Sequence, residues 1–434
     1  MKIEKLYSIF LESTGVTTDS RAVAQGNLFF ALKGDNFDGN DYAQKAIDAG
    51  AIYAVADRPG LKGDRIISVP DTLKALQQLA RYHREQLALP VFALTGTNGK
   101  TTTKELITAV LSKKYKVTST TGNLNNHIGV PLTLLKLTKE SEIAVIEMGA
   151  SAPGEIKTLC DIALPDIGLI TNVGKAHLLG FGSLEGVKKT KGELYDALKK
   201  REGIALFNID NPILCEMIAA RKTLRKTPYG LHDSGAIILP VTPENPYLRI
   251  ALKEGIIINT LLIGSYNADN VMAALAAGEQ LGIERAAAIM AIEHYTPVNN
   301  RSMLLKGKDN LLIVDAYNAN PTSMHAALDN FSSMQVPLKS LIMGDMLELG
   351  KDSHEEHKEI LEFAQELNAQ NYYFVGKEFH SAAKGNPFFG EKGKFFDTSV
   401  DLRDYLSLNP IKGNTILIKG SRGTKLEKVL EILA

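Results

Sequence analysis

The chain has 434 residues, of which 44% are hydrophobic and 23% charged, with 49 basic and 49 acidic side chains. This composition is ordinary for a folded protein and excludes collagen-like, coiled-coil and disordered chains. A formal net charge of zero argues against a general polyanion binder, so nucleic acid is not the expected partner. The two cysteines, Cys160 and Cys215, exclude a disulfide framework and suit a reducing cytoplasm.

At about 150 residues per domain, the length predicts roughly three domains. The first eight residues are too polar for a secretion signal. Apolar runs such as Ala144-Val145-Ile146 fall far short of the ~20 residues of a membrane helix. A cytoplasmic protein without a membrane anchor is expected.

The first segment, residues 1–83, reads as a small separate domain. Its strands are expected at Leu28 to Leu32 and Ile52 to Val55, with a polar turn from Gly34 to Asn40. A helix follows Asp71-Thr72, where Asp or Thr is a suitable N-cap, and sets Leu73, Leu76, Leu79 and His83 on one face. From about residue 90, short apolar runs alternate with helical patterns, the mark of βαβ units and parallel sheets. The second segment, 84–300, holds the runs Val91 to Leu94, Ala144 to Ile146 and Ile167 to Ile170. In the third, 301–434, the runs Leu311 to Val314, Leu341 to Met343, Tyr372 to Val375 and Ile416 to Ile418 each end at a polar residue or glycine. Ligands of open α/β sheets sit beyond such strand ends.

The strongest local signal is Thr95-Gly96-Thr97-Asn98-Gly99-Lys100-Thr101-Thr102, between a strand and a helix expected over Thr102 to Leu111. The two glycines let backbone N–H groups turn toward phosphate oxygens. Lys100 supplies a point charge, and the Thr101 hydroxyl is placed to ligand Mg²⁺. Leu94 stands where the full phosphate-loop pattern has its first glycine.

Glu147 ends the next apolar run, a suitable place for a Mg²⁺ carboxylate, although a solvated strand-end glutamate has the same pattern. His177 follows the run after that. The nine histidines show no zinc spacing. Ser353 and Glu356 read as a capping box, with His354 and His357 on an exposed helical face. Lys191, in Lys188-Lys189-Thr190-Lys191-Gly192-Glu193, reads by itself as part of a solvated helix face.

Taken together, the motifs resemble the Mur ligase family, the ATP-dependent amide-forming enzymes of peptidoglycan synthesis. The likeness rests on the phosphate loop, Glu147-Met148-Gly149, Asn172 to His177, Lys191-Gly192-Glu193, Tyr266 to Asn270, Arg301 and Asp315 to Pro321. It covers nearly the whole chain, in the family's three-domain order. It implies an α/β protein: a small N-terminal α/β domain for a UDP substrate, a central P-loop-type ATPase domain with a mostly parallel sheet, and a C-terminal Rossmann-like domain. That last domain would bind the incoming dipeptide and complete the ATP site.

A finer likeness is carried by Asn123 to Pro131, Asp315 to Pro321 and Gly344 to Gly350. It implies that ATP drives amide formation between UDP-N-acetylmuramoyl-tripeptide and D-alanyl-D-alanine by a monomeric enzyme.

The resemblance also implies residue roles. Thr95, Gly96, Thr97, Asn98, Gly99, Lys100 and Thr101 would cradle ATP, with Asn267 at adenine, Asp315 at ribose and Arg301 at the phosphates. Lys100, Glu147, His177 and Lys191 would carry catalysis. Thr101 and Glu147 would hold one Mg²⁺, and His177 and Glu147 a second, beside a carbamylated Lys191. Ser20 and Arg21, with Asp35, Asn36 and Phe37, would hold the UDP end. Asn125, Asn126 and His127 would line the sugar-peptide path, and Tyr317, Asn318 and Asn320 would also contact substrate. Two positions depart from the family pattern. Tyr266 replaces its usual histidine, and Asn299-Asn300 replaces a Pro-Gly pair before Arg301. Two rivals are a sister ligase that uses another amine, such as a folylpolyglutamate-type synthetase, and a nucleotide-switch ATPase.

Overall fold

The computed structural model describes residues 1–242, 245–297 and 301–434. The departure noted at Asn299-Asn300 lies outside the described residues.

The first segment builds a four-stranded parallel sheet in the order Val16–Thr17, Leu28–Phe30, Tyr53–Ala56 and Ile66–Ser68. The helix expected after Asp71 spans Thr72–Leu87, and the Asp71 carboxylate accepts from the Lys74 N–H at 2.9 Å. Leu76, Leu79 and His83 are buried on its inner face, as their spacing requires. The helix stops at Ala88, whose left-handed φ of 51° leads the chain out toward Pro90.

The central sheet has six parallel strands, in the order Arg225–Tyr229, Ile204–Asn208, Ile167–Ile170, Val91–Thr95, Ile143–Glu147 and Val117–Ser119. Val91–Thr95 therefore lies between the strands ending at Ile170 and Glu147. The three motif-bearing turns emerge side by side from one sheet edge, at the point where the strand order reverses. Alternate residues face opposite cores. Val91, Ala93, Ala144 and Ile146 point one way, and Phe92, Leu94, Ile143 and Val145 the other.

The first of these cores is continuous with the N-terminal segment. Leu6, Phe10, Leu28 and Phe30 pack in the same cluster as Val91, Ile146 and Leu159, with the helix Thr72–Leu87 between them. The N-terminal sheet is separate, but its apolar core is shared, because that helix is amphipathic toward both sides. A three-stranded antiparallel sheet of Ile237–Ile238, Arg249–Ala251 and Ile257–Asn259 also joins the central segment. Sequence reading gave no sign of it, since strands of two or three residues are too short to display a period.

The C-terminal sheet runs Met303–Lys306, Leu311–Asp315, Thr415–Lys419, Lys339–Gly344, Asn371–Val375 and Gly393–Phe396, with only the first strand antiparallel. Asp315 is registered against Lys419, so two charged groups stand together at the carboxyl edge.

The helix Ser353–Glu366 forms, but its expected start differs. A 3₁₀ turn over Gly350–Asp352 brings the chain in already coiled, so Ser353 is its first helical residue and the capping box does not form. His354 is exposed, whereas His357 is fully buried and accepts from the Met346 N–H at 3.0 Å. Its neighbour Phe379 stacks edge-on at 4.6 Å, so this position belongs to the core.

His83 is also buried. Its Nε2 lies 2.9 Å from the Leu137 carbonyl, which can only accept, so Nδ1 is left to accept from the Tyr7 hydroxyl at 3.2 Å. Burial pushes its pKa below the ordinary histidine value. The folded state then takes up a proton less readily than the unfolded chain. Stability is complete above about pH 6.5 and falls as pH drops toward the folded pKa. Replacing His83 by Phe should flatten the pH dependence of urea unfolding between about pH 6.5 and 5, by up to about 1.4 kcal/mol per pH unit. An unchanged slope would show that His83 does not titrate on unfolding in this range.

Candidate active site

The turn after Val91–Thr95 folds as a phosphate loop because its glycines permit it. Gly96 has φ 151° and Gly99 φ 77°, and a Cβ at Gly99 would strike the Asn270 carboxamide at 2.5 Å. The neighbouring strand's turn straps the loop in place. Asn98 N–H donates to Asn172 Oδ1 at 2.9 Å, and Asn98 O accepts from Thr171 Oγ1 at 2.6 Å and Asn172 Nδ2 at 3.1 Å. The helix Lys100–Leu111 starts immediately after the loop. Its first N–H groups and dipole therefore favour an anion there.

Lys100 folds back over the loop, its Nζ donating to the carbonyls of Gly96 at 2.8 Å and Thr97 at 2.9 Å. Burial lowers its pKa to about 8, an effect opposed by Glu147 and reinforced by Arg301. Glu147 and Arg301 are therefore both close enough to act on the charge of Lys100.

Glu147 is 1% exposed, which excludes the solvated strand-end reading. Its Oε2 accepts from Thr101 Oγ1 at 2.9 Å and its Oε1 from Asn125 Nδ2 at 2.8 Å. Two hard oxygens of the kind Mg²⁺ prefers, Glu147 Oε2 and Thr101 Oγ1, are thus adjacent next to the phosphate loop. No larger His, Cys, Asp or Glu cluster able to hold a metal occurs among the described residues.

Lys191 is 2% exposed, which overturns the solvated-face reading. It lies on the inner side of the helix Leu184–Lys200, with Nζ 5.7 Å from the Phe181 ring centre. Burial pushes its pKa well below the ordinary lysine value, and Lys100 adds to the shift while Glu155 opposes it.

The C-terminal segment closes the opposite wall. Lys419 Nζ donates to Asp315 Oδ2 at 2.6 Å. The Arg301 guanidinium stacks on the Tyr317 ring at 3.6 Å. Polar contacts cross between the central and C-terminal segments. Asn320 Nδ2 donates to Asn98 Oδ1 at 2.8 Å, Lys175 pairs with Glu356 at 2.6 Å, and His177 Nδ1 faces the Glu348 carboxylate. His177 and Glu348 both have left-handed φ values, 49° and 66°, so each side of this meeting is held in an uncommon backbone conformation. Burial lowers the His177 pKa, an effect opposed by Glu348 and reinforced by Lys100.

A cleft of about 920 Å³ lies between these walls, lined by residues from all three segments, including Gln77, Lys100, Glu147, Arg301, Asp315 and Tyr317. Thr97, Asn98, Gly99, Thr101, Asn125, Asn126, His127, His177, Asn267 and Asn318 line it as well. Thr95, Gly96 and Lys191 do not line the cleft. Asn267 keeps its side chain occupied within the protein, donating to Ile263 O at 2.8 Å and accepting from Asn270 Nδ2 at 2.8 Å. Ser20, Arg21, Asp35, Asn36 and Phe37 are not among the lining residues. Arg21 instead forms a local pair with Asp19 at 2.8 Å, and Phe37 is 58% exposed.

Sequence reading gave Lys419 and Glu348 no role. Lys419 follows an apolar run, which is a usable signal, but its partner Asp315 is remote in the chain. Glu348 lies within the stretch Gly344 to Gly350 that carried the finer likeness, but nothing there singled it out.

Three family models match in succession: "Mur ligase family, catalytic domain" over residues 12–84, "Mur ligase middle domain" over 94–278, and "Mur ligase, glutamate ligase domain" over 300–422. A UDP-N-acetylmuramoyl-tripeptide–D-alanyl-D-alanine ligase of Bacillus subtilis is 38% identical over 429 residues, covering 96% of this chain and 93% of the relative.

The chain belongs to the Mur ligase family.

The ligase of the same name from Escherichia coli is 37% identical, covering 96% of this chain and 93% of the relative. Among solved structures, a MurF from Acinetobacter baumannii is similar at 31% identity and a TM-score of 0.87, over 99% of this chain and 98% of that one. MurF ligase from Thermotoga maritima in complex with ADP is similar at 29% identity and a TM-score of 0.85, over 98% and 97% of the two chains. As a Mur ligase, the chain is an ATP-dependent enzyme with the three-part α/β architecture expected above.

Lys100→Ala removes the point charge from the loop. It should lower kcat by at least ~10³-fold, the order lost when one preorganised charge contact is deleted. Steady-state phosphate release measures this, and near-parental turnover would remove the phosphate-loop assignment.

Proposed function

We propose that this enzyme joins the terminal carboxylate of UDP-N-acetylmuramoyl-tripeptide to the amine of D-alanyl-D-alanine, using ATP, for peptidoglycan precursor synthesis. The observation that carries the proposal is the convergence of Lys100, Glu147 and Arg301 on one cleft that also reaches Asn125 to His127 and the C-terminal wall. Whole-chain likeness to ligases of that name supports the choice of substrates.

A carboxylate does not condense with an amine at neutral pH, because oxide is too poor a leaving group. The tripeptide carboxylate attacks the γ-phosphorus of ATP, forming an acyl phosphate and releasing ADP. The dipeptide amine then attacks the acyl carbon, loses a proton, and expels inorganic phosphate. The first step brings anions together, so its catalysis is mainly positioning and charge neutralisation. Lys100 and Arg301 supply fixed positive charge at the phosphates, and the start of the helix Lys100–Leu111 supplies N–H donors.

Thr101 and Glu147 are suited to hold a Mg²⁺ on ATP, their oxygens already being neighbours. Bound there, the ion neutralises phosphate charge. A second Mg²⁺ would be held by Glu147 and His177 with a carbamylated Lys191. The lysine meets the chemical requirement for carbamylation: a buried amine with a depressed pKa offers its nitrogen lone pair to CO₂ and releases a proton.

Residues 1–83 would hold the UDP end through Ser20, Arg21, Asp35, Asn36 and Phe37. Residues 84–300 would hold ATP, and 301–434 would bring the dipeptide. Asn267 and Asp315 would face the nucleoside, and Asn318 and Asn320 the amine side. No described helix is long and apolar enough to cross a membrane; a nucleotide-linked substrate and ATP would be met in the cytoplasm, which is where we propose the enzyme works.

Phosphate release should require UDP-N-acetylmuramoyl-tripeptide and D-alanyl-D-alanine together. Release without any amine would favour a nucleotide switch, and release with a different amine a sister ligase. Lys191→Ala should be nearly inactive and partly recovered by added short carboxylic acids. Full activity without them would end the carbamylation proposal.

A further inference from the structure

Arg301 lies at the junction between the central and C-terminal segments, in a long side chain with many rotamers. A residue that must meet a phosphate at one point needs something to fix it. Its Nε is buried and has no hydrogen-bond partner among the described residues, so hydrogen bonding at Nε does not orient the fork. What touches it is a ring: the guanidinium carbon stands 3.6 Å from the centre of Tyr317. Such stacking is the usual way of orienting a planar cation without neutralising it. An acid partner would hold Arg301 more strongly but would cancel the charge that the phosphates require.

Tyr317 is itself well anchored. It follows Asp315, which is tied to Lys419 at 2.6 Å, and precedes Asn320, which caps the helix Pro321–Ser333 and bonds Asn98 of the phosphate loop. The backbone segment that carries the ring is thus tied to the loop that carries Lys100. Arg301 lines the same cleft as Lys100, and its charge helps to depress the pKa of that lysine.

We propose that Tyr317 is a positioning residue that acts through Arg301: its ring, rather than its hydroxyl, aims the guanidinium at the transferring phosphoryl group. This rests on the role proposed above for Arg301 and differs from a direct contact between Tyr317 and the amine substrate. A second guanidinium, that of Arg422, lies 5.5 Å from the same ring, so the test must isolate Arg301.

The test is a double-mutant cycle of Y317L and R301A, with Y317F as the conservative variant, read as kcat and as KM for each of the three substrates. Y317L should lower kcat by about 2- to 30-fold, the range of a cation–π contact. Its KM for the dipeptide should stay within about twofold, and Y317F should recover most of the loss. On the R301A background, Y317L should add nothing. Losses that multiply across the cycle would overturn the proposal. So would a raised dipeptide KM in Y317F equal to that in Y317L, which would assign the hydroxyl to the amine substrate. Parental kcat in R301A would overturn the role of Arg301 itself, and this inference with it.

Discussion

The structure of this site depends on a carboxylate held at a buried strand end on the wall of the cleft. Glu147 ends a central strand and is almost fully buried, which is costly for a charged group unless partners compensate it. Thr101, at the start of the phosphate-loop helix, donates to one oxygen, and Asn125, from a separate loop, donates to the other. Three chain segments are thereby fixed around one negative charge. Lys100 and Arg301 stand close by, so the charge also tempers the repulsion between two cations gathered for phosphates.

The second constraint is that no single segment builds the cleft. The central sheet supplies the loop and Glu147, the N-terminal segment shares its apolar core, and the C-terminal sheet brings Asp315, Tyr317 and Lys419 to the facing wall. Contacts between the central and C-terminal segments include an amide pair, a lysine–glutamate pair and a histidine–glutamate pair, and Ile263 also packs into the C-terminal apolar core. Polar contacts of this kind give register at modest energy, since partly exposed ion pairs contribute little net stability.

Much of this was legible in the sequence. The parallel strands announced themselves as apolar runs ending in glycine or polar residues, and the helix after Asp71 through both its cap and its period. The phosphate loop was legible because strand, glycine turn, lysine and helix are contiguous. Lys191 was not: within a run of lysines, its burial depends on which face of the helix Leu184–Lys200 turns inward, and a run with cations at neighbouring positions gives no phase. His357 misled for a related reason. Its neighbours are charged, but it stands three and four residues before Ile360 and Leu361, on the buried side of the helix, where it meets Phe379.

The sequence by itself determined the chemistry on offer and the elements that carry it, because both are encoded by residues close together in the chain. Strand-end residues, glycine turns and capping side chains act within a few positions of one another. The tertiary structure alone decided which distant charges meet. Asp315 finds Lys419 through the register of two adjacent strands, and Arg301 finds Tyr317 through the packing of the segment that follows it. Burial, and with it the depressed pKa of Lys191, also belongs to the assembled fold, since desolvation is a property of everything that surrounds a group rather than of its neighbours in sequence.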